Sequence, residues 1–319
     1  MNAESDSLNS AITKISKREQ GCNLLQLAIL HKSHINIIKL ILDSGIDINA
    51  LCHYGSALHM AVCSARIETI NIIIKHGANV NISDSQGFTA LYRASIENRP
   101  KVVETLLING ANPNIKNKLG RTPLHAAVLW KKPNNVELLL KYGADINVVD
   151  VNKQTPLSFI QIDDHETPKL LVAHITLLSN YTNKTYSLEG YTSNMSMIYY
   201  SKSLSSFKLE CEKELSTMKS IKMGKNISLF TLFMSKNPNI PLRILEDLTL
   251  TLSVNNIHIY FNALIQIISY VKYRHSLIEE VLQYIDKTFL DWNILPINIK
   301  LYILKLLATD DLKNILGMR

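Results

Sequence analysis

The sequence predicts an all-α protein in which a solenoid of stacked helix pairs is followed by a second helical region. Two observations predict the solenoid: a set of leucines and a set of glycines recur with one common period of 33 residues. A third observation predicts the helical region, because apolar residues recur at helical spacing through most of residues 203–319. The period is lost near residue 180 of the 319-residue chain, which places the division there.

Composition narrows the class of protein before any motif is considered. Hydrophobic residues make up 46% of the chain, enough for a large core, but no apolar run approaches the roughly 18 residues of a membrane span. The net charge of +7 is spread along the chain without a basic run, which argues against a nucleic-acid partner. The first ten residues do not resemble a secretory signal. We therefore expect neither a membrane nor a nucleic acid among the partners.

The cysteines and histidines give no sign of a metal site or a cofactor. Cys22, Cys52, Cys63 and Cys211 form no C-x-x-C pair, so reduced thiols in a cytosolic protein are the expectation. The chain has no phosphate-binding glycine loop and no hydrolase or metalloprotease motif. We expect no cofactor, and we expect a protein that binds rather than one that catalyses.

The first element is a short helix within residues 1–20. Leu8, Ile12 and Ile15 lie at helical spacing and predict a helix that caps the solenoid at its N-terminal end.

Repeats at a fixed period fill residues 21–180. The leucines in phase are Leu25, Leu58, Leu91, Leu124 and Leu157. Gly77, Gly110 and Gly143 form a second series with the same 33-residue step. Because two separate series share one period, we expect five structural units of the same kind.

The fourth repeat, "GRTPLHAAVLWKKPNNVELLLKYGADIN", explains the pattern physically. Thr122 can cap a helix whose first position is Pro123, where the missing N–H costs nothing. Gly143 can end the second helix in the left-handed conformation. Each repeat is therefore predicted as helix, loop, helix and turn, which must stack on its neighbours to bury its apolar face.

This segment closely resembles an ankyrin repeat, and the resemblance covers residues 21–180 in about five repeats, the last of them degraded. Repeat one has "NLLQ" in place of Thr-Pro-Leu-His, and repeat five has Lys153 at a glycine position. The resemblance implies that His59 and His125 hydrogen-bond loop backbone between repeats, and that they are not catalytic bases.

The resemblance also implies a concave, protein-binding groove lined by the turn tips and the first helix of each repeat. Matching the sequence position by position assigns the following residues to that groove: Phe88, Ile96, Glu97, Lys118, Leu119, Arg121, Leu129 and Trp130. Aromatic residues and arginine are the types that dominate interface energetics. An alternative remains open, in which Trp130 packs on repeat five and Phe88 packs on its neighbour.

Beyond the repeats, residues 181–202 are polar and aperiodic and are predicted as a linker. Residues 203–319 are predicted to be helical throughout. In residues 292–319, "LPINIKLYILKLLATDDLKNIL" predicts a helical hairpin that closes a core. It also resembles a truncated F-box, with Asn298 where an acidic residue is usual. The implied ligase-docking residues are Leu295, Pro296, Ile299, Ile303, Leu304 and Leu307.

The whole arrangement is similar to poxvirus ankyrin proteins that end in a PRANC domain, an architecture also known in some endosymbiotic bacteria and parasitoid wasps. The resemblance implies an adaptor that binds a host protein and docks on the Skp and cullin subunits of an SCF-type ubiquitin ligase. It would modulate innate immunity in the host cytoplasm, with the nucleus as a second compartment. The alternative is a decoy that sequesters a host signalling protein, in NF-κB or cell-death control, without ubiquitination. An enzyme would instead show a closed polar pocket in the C-terminal half.

Overall fold

The computed structural model describes residues 21–64, 66–161, 163–181, 188–223, 227–235, 257–288, 300–301, 304–305 and 307–316. The expected capping helix in residues 1–20 lies outside them. The chain forms two compact units, Met1–Lys208 (the N-terminal unit) and Leu209–Arg319 (the C-terminal unit). The all-α prediction is confirmed, apart from one pair of two-residue strands.

Four helix pairs open the N-terminal unit, one pair in each of repeats one to four. They are α1 (Leu24–Leu30) and α2 (Ile35–Asp43), α3 (Ala57–Ser64) and α4 (Ile67–Lys75), α5 (Ala90–Ile96) and α6 (Pro100–Ile108), α7 (Pro123–Leu129) and α8 (Pro133–Lys141). Repeat five has a 3₁₀ helix, Pro156–Phe159, where the others have an α-helix, followed by α9 (Thr167–Tyr181). Helix α10 (Leu188–Tyr200) comes next.

The two phased series of the sequence have distinct structural roles. All five phased leucines are buried, each on the first helix of its repeat, where burial of a leucine stabilises by about 2 kcal/mol. Gly77, Gly110 and Gly143 follow the second helices with φ between 85° and 91°. Only glycine adopts that conformation without a steric penalty, so these residues end the second helices.

Asparagines join the turn of each repeat to the next one. Asn114 Nδ2 donates to the carbonyl oxygen of Gly143 at 3.0 Å, and Asn114 Oδ1 accepts from the backbone N–H of Asp145 at 2.8 Å. Asn81 repeats this pair of bonds one repeat earlier, with Gly110 and Asn112. The stack is therefore held by polar contacts at its edge as well as by its apolar core.

Helix α10 lies where a linker was expected over residues 181–202. It packs on repeat five and on the end of repeat four, where Asn194 Nδ2 donates to Asn147 Oδ1 at 3.0 Å and to the Ile146 carbonyl oxygen at 3.2 Å. Ile198 is buried, and Gly190 lies so close to Asn147 that a Cβ there would overlap its carbonyl oxygen. Met195 and Met197 also pack against the core, but two of the closest contacts of α10 are made by Gly190 and Asn194, so its apolar periodicity is too weak to be recognised in the sequence.

The C-terminal unit is also helical. The division between the units falls within α11 (Lys202–Ser220), which is followed by β1 (Lys222–Met223) and β2 (Ile227–Ser228), an antiparallel pair. The described helices that follow are α12 (Leu229–Ser235), α13 (Phe261–Thr288) and α14 (Thr309–Ile315). One face of α13 buries Leu277, Ile278 and Val281 against Leu304 and Leu312 of the terminal segment.

Candidate protein-binding surface

The turn tips of repeats three, four and five form one continuous row. The backbone N–H of Lys118 donates to the Gln86 carbonyl oxygen at 3.1 Å, and the backbone N–H of Val151 donates to the Leu119 carbonyl oxygen at 3.0 Å. The tips are therefore hydrogen-bonded to one another in sequence. This row and the adjoining first helices carry the residues that the sequence analysis assigned to a protein-binding groove, and these residues are called the groove below.

One acidic or amide side chain holds each of these tips. Asp84 Oδ1 accepts from two backbone N–H groups of its own turn at 2.8 and 2.9 Å. Asn117 and Asp150 do the same in the next two repeats. These three residues are 33 positions apart, so they form a third phased series, which the sequence analysis missed.

The Arg121 side chain binds residues of the next repeat. Its Nε lies 3.1 Å from Asp150 Oδ2, and its guanidinium lies 4.6 Å from the ring centre of Phe159. Burial disfavours the charge of Asp150, but hydrogen bonds from Gln154 N–H and from Arg121 lower the pKa of its carboxyl overall. Arg121 therefore joins repeats four and five and is only half-exposed to a partner.

The Phe88 side chain is also partly covered by its own repeat. It is half-buried and stacks on Tyr92 of its own repeat, with ring centres 4.6 Å apart. The Ile96 and Leu129 side chains are half-buried as well, whereas Glu97 is exposed. Of the eight groove residues, these four thus offer one open side chain and three partly covered apolar ones.

The remaining predicted residues are open. Leu119 is 51% exposed and Trp130 is 55% exposed, and the Lys118 side chain beside Leu119 is exposed. The exposure of Trp130 disfavours the alternative in which it packs on repeat five. Val151 at the next tip is 62% exposed and adjoins Leu119, although the sequence analysis did not single it out.

The two repeat histidines have the structural role that the resemblance implied. His59 Nε2 pairs with the Phe88 carbonyl oxygen at 2.8 Å, and His125 Nε2 pairs with the Gln154 carbonyl oxygen at 3.2 Å. Burial lowers the pKa of both imidazoles, that of His125 to about 4. Both are therefore neutral near pH 7 and join consecutive repeats.

A buried group of titratable residues in the C-terminal unit also serves the fold. The Glu214 carboxylate accepts from the backbone N–H of Ile259 at 3.0 Å, just before α13 begins, and burial raises the pKa of this carboxyl. Burial likewise raises the pKa of the Tyr260 phenol and that of the Cys211 thiol, the latter to about 11, and their side chains hydrogen-bond each other. A carboxylate at the start of a helix is a stabilising arrangement.

Among the residues that the structure describes, no group of three or more histidine, cysteine or acidic side chains could hold a metal ion. Within the same residues, no helix is long and apolar enough to cross a membrane.

Most of the predicted ligase-docking residues, namely Leu295, Pro296, Ile299 and Ile303, lie outside the described residues. Leu304 is 1% exposed and packs against α13, so its side chain belongs to the core of the C-terminal unit. Leu307 is half-buried against the same cluster.

Arg274 of α13 holds the terminal segment through three hydrogen bonds. Its Nη1 donates to Thr309 Oγ1 at 3.0 Å, and its Nη2 donates to the carbonyl oxygens of Lys305 at 3.2 Å and Leu307 at 2.5 Å. The side chain is fully buried, which is rare for arginine. This role could not be recognised from the sequence, because a single arginine in a helix is ordinarily solvent-exposed.

Both parts of the chain match known protein families. A family model described as ankyrin repeats (3 copies) matches residues 25–117 and 58–150, and a model described as the PRANC domain matches residues 224–317. The ankyrin repeat protein FPV031 of fowlpox virus is 28% identical over 306 residues, which is 92% of this chain and 82% of that protein.

Two further fowlpox virus relatives are longer. FPV024 is 30% identical over 267 residues, 81% of this chain and 44% of that protein. FPV219 is 32% identical over 160 residues, 48% of this chain and 36% of that protein. This chain thus spans less than half the length of these two relatives.

Proposed function

The chain belongs to the ankyrin-repeat proteins that carry a C-terminal PRANC domain, and from this premise we propose that it recruits a host protein to a Skp–cullin ubiquitin ligase. The groove of the repeats binds the host protein. The F-box-like terminal segment docks on the Skp subunit, and the ligase then ubiquitinates the bound protein. The chain itself carries out no chemistry but raises the effective concentration of the target at the ligase.

The observation that carries this proposal is the row of tips between repeats three and five. Leu119 and Val151 adjoin each other there, both more than half exposed, while Asp84, Asn117 and Asp150 keep the turns rigid. Apolar side chains on a preorganised backbone bind a partner with little ordering cost. Exposed apolar side chains on such a backbone therefore support the proposal that this surface binds a protein.

The location of the two functions on separate compact units also supports an adaptor. The groove lies in Met1–Lys208, and the F-box-like segment lies in Leu209–Arg319. Each surface can therefore bind its own partner. We propose the host cytoplasm, with the nucleus as a second compartment, as the place of action, and control of innate-immune signalling as its outcome.

Co-purification from transfected cells tests the ligase assignment. The full chain should recover Skp and cullin, whereas a chain that ends before Trp292 should not. A Leu295→Arg variant of the full chain should also lose them, while Tyr284→Ala, which alters an exposed residue of α13, should not. Circular dichroism of each variant separates loss of docking from loss of fold.

Equal recovery of the ligase by the full and shortened chains would refute the docking assignment. Binding of the ligase without a fall in the abundance of the groove's partner would instead indicate that the partner is sequestered.

A further inference from the structure

Two cysteines from different repeats are in direct contact. Cys22 precedes α1 of repeat one and Cys52 lies at the turn tip of repeat two, yet their Sγ atoms are 2.8 Å apart. Both are thiols in the structure. Because a disulfide bond is about 2.05 Å long, the sulfur atoms need to move by less than roughly one ångström to become bonded.

Neighbouring side chains hold the two backbones in this position. Gln26 is buried and donates through Nε2 to the carbonyl oxygens of Ala50 at 2.6 Å and Gly55 at 3.2 Å. Asn23 Nδ2 donates to the carbonyl oxygen of Asp47 at 2.9 Å. The segment that carries Cys52 is therefore fastened on both sides to the segment that carries Cys22, and the contact does not depend on the thiols alone.

The tip of repeat two also lacks the support that the other tips have. Asp84, Asn117 and Asp150 hold the tips of repeats three to five, but in repeat two the residue whose carbonyl oxygen closes the turn is Cys52, which carries no carboxylate or amide. Backbone bonds between Cys52 and Gly55 at 3.1 and 2.9 Å close this turn, as equivalent backbone bonds close the other three tips. A covalent bond from Cys52 to repeat one would restrain the one tip, among the four described, that has no such side chain.

We propose that Cys22 and Cys52 are a redox modification site, at which a low-molecular-weight disulfide such as oxidised glutathione joins them in an intramolecular disulfide bond. The site does not depend on the ligase proposal. It fixes the tip of repeat two to repeat one.

The reaction proceeds by two thiol–disulfide exchanges. The Cys52 thiolate attacks one sulfur atom of oxidised glutathione, forms a mixed disulfide and releases one glutathione thiolate. The Cys22 thiolate then attacks Cys52 Sγ, and the second glutathione thiolate leaves. The two protein thiols give up two electrons and two protons, which convert oxidised glutathione into two molecules of glutathione.

Exposure determines the order of the two steps. Cys22 is fully buried, whereas Cys52 is half-buried, so the reagent reaches Cys52 first and Cys22 resolves the mixed disulfide. Cys211 is buried in the C-terminal unit, so it serves as an inaccessible internal control, whereas Cys63, which is exposed on α3, is replaced in the test.

The test uses the folded full chain with the substitution Cys63→Ser, because trypsin would otherwise leave Cys52 and Cys63 in one peptide, residues 40–66. The chain is treated with oxidised glutathione, its remaining thiols are blocked with N-ethylmaleimide, and tryptic peptides are mapped without reduction. We expect the peptide that contains Cys22 to be linked to the peptide that contains Cys52, with the link lost on addition of dithiothreitol. Hydrogen exchange over residues 47–55 should slow after oxidation.

Two matched variants identify the resolving thiol. With Cys22→Ser added, Cys52 should retain one glutathione, because the second exchange is no longer possible. With Cys52→Ser added, Cys22 should stay unmodified. The proposal is overturned if glutathione persists on Cys52 while Cys22 is present, if Cys52 links to Cys211, or if no link forms in excess oxidised glutathione.

Discussion

Three side chains occupy one structural position in repeats one, two and four and make the same pair of hydrogen bonds. In His125, Nδ1 accepts from the backbone N–H of Thr122 at 3.1 Å while Nε2 pairs with the carbonyl oxygen of Gln154 in the next repeat. In Gln26, Oε1 accepts from the backbone N–H of Asn23 at 2.7 Å while Nε2 donates to Gly55. An amide therefore replaces the imidazole without loss of either bond, and unlike the imidazole it does not take up a proton.

This equivalence predicts the effect of His125→Gln on stability against pH. The pKa of His125 is about 4 in the folded chain and about 6.5 in the unfolded one, so the unfolded chain binds more protons between these values. Stability is thus retained above pH 6.5 and lost as pH falls from 6.5 towards 4, by up to roughly 3 kcal/mol for this one group. His125→Gln should make the decline in urea unfolding free energy over that window shallower, while the contribution of His59 remains.

The matched control is His125→Ala, which removes both hydrogen bonds as well as the titration. It should flatten the same decline but also lower the unfolding free energy at pH 8 by about 2 kcal/mol. An unchanged pH dependence in His125→Gln would show that the imidazole is not the group that protonates on unfolding.

The exposure of Trp130 predicts its role in partner binding. Truncation to alanine removes an open aromatic side chain without exposing a core, so Trp130→Ala should leave the melting temperature unchanged. Binding of the host partner should weaken by about 2 kcal/mol, roughly thirtyfold in Kd. Ile108→Ala is the matched control, because Ile108 is 65% exposed at the end of the second helix α6, away from the tips. Equal affinities of the two variants would remove Trp130 from the interface.

The phased leucines and glycines could be recognised in the sequence because the fold of every repeat requires these residue types at these positions. A leucine at each phased position is buried, and a glycine at each helix end has positive φ, so both are imposed by local geometry. Groove residues are different. In the sequence, Arg121 and Leu119 look equally able to contact a partner. In the structure, Asp150 and Phe159 of the next repeat bind the Arg121 side chain, whereas the Leu119 side chain stays exposed.

At the turn tips, glycine and lysine occupy the same place in successive repeats, with opposite consequences. Gly120 has φ of +75°, and a Cβ there would lie 3.0 Å from the Val151 backbone nitrogen, since the next tip packs against it. Lys153, one repeat later, has φ of +61° and forms only an exposed pair with Glu189. Lys153 therefore has the steric strain of a positive φ, but the φ strain is not compounded by the close approach of a neighbouring tip that is seen at Gly120.

We accordingly expect opposite effects from two substitutions in this position. Gly120→Ala should destabilise the N-terminal unit by about 2 kcal/mol, through positive φ and displacement of the next tip. Lys153→Gly should stabilise it by up to about 1 kcal/mol, because the surface ion pair that it loses contributes little. Urea unfolding of both variants measures the difference, and a destabilised Lys153→Gly would contradict the assignment of strain to that turn.

Helix α13 and the terminal segment depend on one another through Arg274. Replacement by methionine keeps much of the volume but removes the donor to the carbonyl oxygens of Lys305 and Leu307 and one of the two partners of Thr309 Oγ1, which should cost about 3 kcal/mol. Hydrogen exchange over residues 304–316 should accelerate in Arg274→Met. Lys272→Met on the exposed side of the same helix is the control and should leave that exchange unchanged. Equal exchange in the two variants would mean that apolar packing alone holds the segment.

For the molecule as a whole, the order of its parts was predictable from the sequence, but the end of the solenoid was not. The repeat period stops near residue 180, and the sequence predicts a linker over residues 181–202. The structure continues the stack with α10, where Asn194 bonds both Asn147 of repeat four and Thr155 of repeat five. Such a cap shows no repeat period in the sequence. It can be recognised only in the structure, from the hydrogen bonds that it makes to polar groups of the last repeats.

This cap determines where the chain can be divided. A fragment of residues 1–208 contains α10 and should unfold cooperatively, close to the first transition of the full chain. A fragment of residues 1–187 exposes the apolar face of repeat five that Ile198 covers, and it should be at least about 2 kcal/mol less stable. Hydrogen exchange should be faster over Pro156–Phe159 and α9 in the shorter fragment, because these elements lie next to the removed helix. Asn194→Ala in the longer fragment should give a smaller loss in the same place, and equal melting temperatures of the two fragments would mean that repeat five is stable without its cap.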